Sequence, residues 1–140
     1  MHNADRSEIE SVCKDVLDAF QGVLSWEWDG RFRTILAGFS ADKKDNVHEI
    51  LDRYFNIAWD VSNIDEAPIV VRAIDKHLGG IRSGQLLFNT HPNQEAFIFC
   101  AWWPWGDGNN ISIRMAPVDK TLSEAEEAEL IKRLKGWAGI

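Results

Sequence analysis

Hydrophobic positions recur along this chain in two rhythms, and the rhythms divide it into helices and strands. Ile9, Val12, Cys13, Val16, Leu17, Phe20, Val23 and Leu24 return at steps of three and four, which places one apolar stripe on an amphipathic helix. Ser7-Glu8-Ile9-Glu10 fits a capping box at its start, and Gly22 weakens its last turn. Val47, Ile50, Leu51, Tyr54, Phe55 and Ala58 form the stripe of a second helix, with Ser40 as N-cap and Asp42 suited to its positive end. A loop is expected over 60–66. Beyond it, Ile69, Val70, Ala73, Ile74 and Leu78 have helical spacing between Pro68 and the stop at Gly79-Gly80. The β-branched Ile69-Val70-Val71 offers a competing strand, and helix is the favoured reading. A closing helix follows a second capping box, Ser123-Glu124-Ala125-Glu126, and buries Leu130, Ile131, Leu134 and Trp137 on one side.

The second rhythm has a period of two or is an unbroken apolar run. Residues 97–103 are nearly all apolar, the pattern of a strand buried on both faces. Trp102, Trp103 and Trp105 crowd its far end around Pro104, and the polar turn Gly106-Asp107-Gly108-Asn109-Asn110 follows. Ile111, Ile113 and Met115 then alternate with Ser112 and Arg114, which marks a strand with one wet face. Residues 81–88 read as a strand leading through the turn 89–94 into the central one. Asp29-Gly30 lies between Trp26-Glu27-Trp28 and Arg31-Phe32-Arg33. It predicts a two-residue hairpin turn in which Trp28 pairs with Arg31 and Trp26 faces Arg33. The hairpin's second strand runs through Ile35 and Leu36 to Gly38 or Phe39, its buried face undecided.

Strands joined by short turns are antiparallel. The expected fold is therefore α+β: an antiparallel sheet of about five strands with helices packed on one face, in the order α-β-β-α-α-β-β-β-α. The 140 residues form one domain, with no repeats and no interdomain linker.

Composition narrows the partners more than the chemistry. With 22 acidic residues against 15 basic ones the net charge is −7, and the basic residues are scattered. A general affinity for nucleic acid needs a basic patch, so it is not expected. No stretch approaches the roughly 20 apolar residues of a membrane span. Residues 1–10 are polar where a secretion signal needs an apolar run, and Cys13 and Cys100 both fall at apolar positions. The expectation is a cytoplasmic chain with two free, buried thiols.

Catalytic signatures are missing from the pattern. His48, His77 and His91 are far apart, and no Cys or His pair has metal-ligand spacing. Asp107-Gly108-Asn109 lacks the later acidic ligands of a calcium loop. Gly79-Gly80 has no phosphate-loop Lys-Ser/Thr, and there is no Gly-x-Ser-x-Gly elbow. No cofactor, metal or catalytic residue is assigned.

The remaining feature is the seven tryptophans. Trp102, Trp103 and Trp105, joined by Trp26 and Trp28 from the hairpin, form the candidate site, with Glu27, Asp29 and Asp107 as an acidic rim. Three readings compete: a minicore capping the sheet, a protein-binding patch, and a stacking platform for a sugar or nucleobase. Size, acidity and α+β make-up are similar to those of small bacterial immunity proteins that neutralise a toxin, and of acidic secretion chaperones, with no motif carrying the likeness. The expected function is a non-enzymatic protein-binding domain, an immunity or inhibitor protein acting on a basic toxin or enzyme. A small-ligand-binding domain or enzyme with a Trp-lined pocket for a sugar, nucleotide or acyl compound is the alternative, and an acidic secretion chaperone a further one. Oligomeric state is not legible.

Overall fold

The computed structural model describes residues 2–90 and 96–140, with side chains from Glu8 onward. Along them run α1 (His2–Ala19), β1 (Glu27–Asp29), β2 (Thr34–Ser40), α2 (Lys44–Tyr54), β3 (Ile57–Trp59), α3 (Ile69–His77), β4 (Leu86–Asn89), β5 (Ala96–Pro104), β6 (Asn110–Asp119) and α4 (Glu124–Ala138). The six strands form one sheet in the order β1-β2-β6-β5-β4-β3. Every neighbouring pair is antiparallel. The α+β class is thus as the periodicities predict, with one strand more. That strand is β3, three residues at the sheet edge, where helical spacing continues to Ala58 in the sequence. Phe55 already has extended backbone, and Ala58 is drawn out to pair with Phe88.

Strand alternation sorts the core into two layers. Cys100 pairs with Met115, Trp102 with Ile113, and Ala37 with Ile113. Ile35, Ala37, Phe39, Ile98, Cys100, Trp102, Ile111, Ile113 and Met115 therefore share one face, and all are buried. The stripes of α1 (Cys13, Val16, Leu17, Phe20) and α2 (Val47, Ile50, Leu51), with Leu134 of α4, are buried with them. Each fully buried aliphatic side chain is worth about 1.5–3 kcal/mol.

The other face carries Leu87, Phe97, Phe99, Ala101, Trp103, Ser112, Arg114 and Ala116. Here α3 and its flanks form the cover: Val71, Leu78, Ile64 and Ala67 are buried, and Leu78 lies with Leu87, Ala101 and Trp103 around one small cavity. The helices are therefore not confined to one face. A central strand buried on both sides, as the run 97–103 demands, requires this second layer.

Several local expectations change. The backbone is helical from His2, so Ser7 lies within α1 rather than at its start. Ser123 does cap α4: its hydroxyl accepts from Glu126 N, and the Glu126 side chain accepts from Ser123 N. Residues 69–77 are helical, ended by Gly79 at φ +100° and Gly80 at +87°, where an L side chain would be strained. Residues 81–85 are irregular and β4 begins only at Leu86. Of the turn expected over 89–94, residues 91–94 lie outside the described residues.

The first hairpin departs most. Asp29 pairs with Thr34 and Trp28 with Ile35, so the loop is four residues, 30–33, with Arg33 in the left-handed region at φ 57°. The two-residue turn loses to side-chain demands. The Asp29 carboxylate accepts from Arg31 N at 3.0 Å, and the Phe32 ring is drawn onto Trp103 and Arg114. No contact of Trp26 with Arg33 forms among the described residues.

Candidate binding face

The site lies on the α3 side of the sheet, beyond the end of that helix. Glu27 of β1, Leu36 and Gly38 of β2, Ser112 and Arg114 of β6, and Trp103 of β5 project from the same face. With Gln85, Pro104 and Trp105 they line an open concavity of about 520 Å³. The floor is low at Gly38, which has no side chain. Its φ is not in the left-handed region, and a Cβ there meets nothing closer than Ile111 O at 4.0 Å.

Arg114 is the fixed point of this face. Its guanidinium lies 4.2 Å from the Trp103 ring centroid and 5.4 Å from that of Phe32. Phe32 meets Trp103 edge-on at 5.6 Å. Nε donates to Asp29 Oδ2 at 2.9 Å and an Nη donates to Ser112 Oγ at 3.3 Å. The side chains of Arg114 and Asp29 are only 16% and 13% exposed, so the pair is largely withdrawn from water. Burial alone would raise the Asp29 pKa. The Arg114 hydrogen bond and charge, with backbone N–H groups of Arg31 and Phe32, outweigh it and hold the carboxyl below its ordinary value. The far end of the cluster is anchored by His77 of α3, whose Nε2 is 3.1 Å from Phe32 O.

Trp105 stands at the lip, 53% exposed. Its backbone is held by the hairpin turn: Trp105 N donates to Asn110 O at 2.8 Å and Gly108 N donates to Trp105 O at 3.1 Å. Asp107 shapes that turn. Its Oδ1 accepts from Asn109 N and Asn110 N, and its Oδ2 from Asn110 Nδ2. The Asn109 amide above all, then the Asn110 side chain, holds its pKa below the ordinary carboxylate value. The carboxylate remains exposed and charged beside Trp105.

The structure brings together Trp103, Trp105, Asp29 and Asp107 of the expected residues, with Glu27 on the rim. It separates the other three. Trp102 points to the opposite face, 6% exposed, with Phe39, His48 and Phe88 around its ring. Adjacent residues of a strand alternate in direction, so Trp102 and Trp103 cannot share a patch. Trp28 lies with Ile35 on the helix side under Lys135 Nζ, 4.4 Å from its ring. Trp26 packs edge-on against Phe20 at 5.9 Å.

Compared with known protein families, curated proteins and solved structures, the chain matches none. The functional reading accordingly rests on this geometry. Among the described residues no group of three His, Cys, Asp or Glu is placed to hold a metal ion, and no helix is long and apolar enough to cross a membrane. The sequence does not assign Arg114, Phe32, Leu36, Gly38, Gln85 or Ser112 to the site. The alternation that sets Ser112 and Arg114 opposite Ile113 and Met115 did signal a polar face. That Arg114 meets Asp29, 85 residues away in sequence, depends on sheet order.

Proposed function

We propose that this is a non-enzymatic protein-binding domain whose concave sheet face, lined by Trp103 and Trp105, receives a projecting basic segment of another protein. The observation that carries the reading is Trp105: a large ring half in water at the lip of a preformed hollow. A ring in that position loses solvent only when something covers it, and rigid aromatic anchors of this kind dominate binding energies. Glu27 and Asp107 supply negative charge at the rim, and the chain's net −7 steers a cationic partner toward it. The Asp29–Arg114 pair is internally neutral and holds Trp103 in place, so the floor is organised before the partner arrives. Two free, buried cysteines suit a reducing compartment such as the cytoplasm. An inhibitor or immunity protein covering a basic toxin or enzyme is the role that fits best.

The test is affinity capture from the native host with the wild-type chain, Trp105→Ala and Glu27→Lys/Asp107→Lys in parallel. A partner retained stoichiometrically by the wild type, released by rising salt and lost by both variants is the expected result. Equal retention by all three proteins would contradict the proposal.

A further inference from the structure

A second hollow lies on the same sheet face, on the other side of the Phe32–His77 contact. Phe99 and Ala116, paired across β5 and β6, form its floor, Val70 and Ile74 of α3 one wall, and Leu122 and Leu130 of the β6–α4 region the other. Its volume is about 410 Å³, within the range of roughly 300–1,000 Å³ typical of small-molecule sites. Phe32 and His77, with ring centroids 6.1 Å apart, line one end.

We infer that this groove beneath α3 binds a small apolar carboxylic acid, its hydrocarbon body against Phe99, Ala116 and Ile74 and its carboxylate at Lys120. The choice of head group follows from charge at the mouth, which is lined by Arg33, His77, Asp119, Lys120 and Glu127. Glu127 is already paired with Arg33 at 3.3 Å. Asp119 Oδ1 accepts from Thr121 N at 2.9 Å. Lys120 pairs with no carboxylate among the described residues. Lys120 is therefore left to form an ion pair with an anionic head at the mouth. An apolar body suits the rest, because the floor and both walls offer almost nothing to hydrogen-bond.

Decanoate is the probe, followed by methyl NMR and thermal unfolding, with decyltrimethylammonium as the matched cation. Ala73 is exposed on α3 and lines the groove, so Ala73→Trp fills the space without touching the core. The expected result is saturable binding of decanoate that shifts the Ile74 and Ala116 methyls, raises Tm, disappears in Ala73→Trp and weakens about tenfold in Lys120→Glu. The inference is overturned if decanoate gives no saturable shift, if Ala73→Trp leaves binding intact, or if the cation binds equally well. Decanoate binding that instead moves the Leu36 methyls and depends on Trp105 also overturns it, because it places the ligand in the tryptophan concavity.

Discussion

Asp29 and Arg114 show how one ion pair links fold and site. Arg114 lies over two aromatic rings, and its carboxylate partner is fixed by three donors. Replacing Asp29 with Asn removes a charge-assisted bond of a kind worth about 1.5–3 kcal/mol, and it leaves the guanidinium uncompensated where water is scarce. We expect a fall in stability of that order in urea denaturation, with Trp103 fluorescence altered. The pH dependence has a definite sign. Because folding lowers the Asp29 pKa, its contribution is fully present above the unfolded value of about 3.9 and disappears as pH falls through the lower folded value. The stability gap between wild type and Asp29→Asn is expected to be constant near neutrality and to close in that acid range. A gap independent of pH would exclude the ion pair as its source. The two thiols make a separate prediction. Burial pushes Cys13 up to about 12 and raises Cys100 as well, and the thiolate is the reactive form. Neither should react with Ellman's reagent until the protein unfolds.

Elements whose signals are local were legible; those set by distant partners were not. The capping box at Ser123 is a contract between residues three apart, and it forms as the sequence implies. Ser123→Ala should cost about 1 kcal/mol, measured by thermal unfolding, and an unchanged Tm would mean α4 is held by packing alone. The similar motif at Ser7 does not mark a helix start, because the helix continues upstream to His2. The Asp-Gly hairpin signal fails for a different reason. The loop is four residues long, and Phe32 within it contacts Trp103 and Arg114. Trp28 shares the face of Ile35 in either register, so strand alternation keeps it away from Trp103. Strand β3 was hidden because three residues are too few to display a period. The separation of Trp102 from Trp103 was readable in principle, since neighbours in a strand face opposite ways.

For the molecule as a whole, the buried run 97–103 implied covering layers on both sides of the sheet. The expected arrangement, with the helices packed on one face, supplies only one such layer. The layer built by α3 and its irregular flanks is thinner and incomplete, and both hollows exist because it stops short. Sequence could point to the tryptophans but not to the uncovered area, which depends on where α3 ends relative to β5 and β6.

Gly38 gives the most direct test of the proposed binding face. Its backbone accepts a side chain, and glycine within a strand weakens it, so Gly38→Val should leave Tm unchanged or raise it while filling the hollow beside Trp103. The decisive measurement is the affinity of Gly38→Val for the protein captured by the wild type. A loss of at least tenfold, at undiminished Tm, is what this account predicts. Wild-type affinity in the filled variant would contradict it and place the partner elsewhere on the surface.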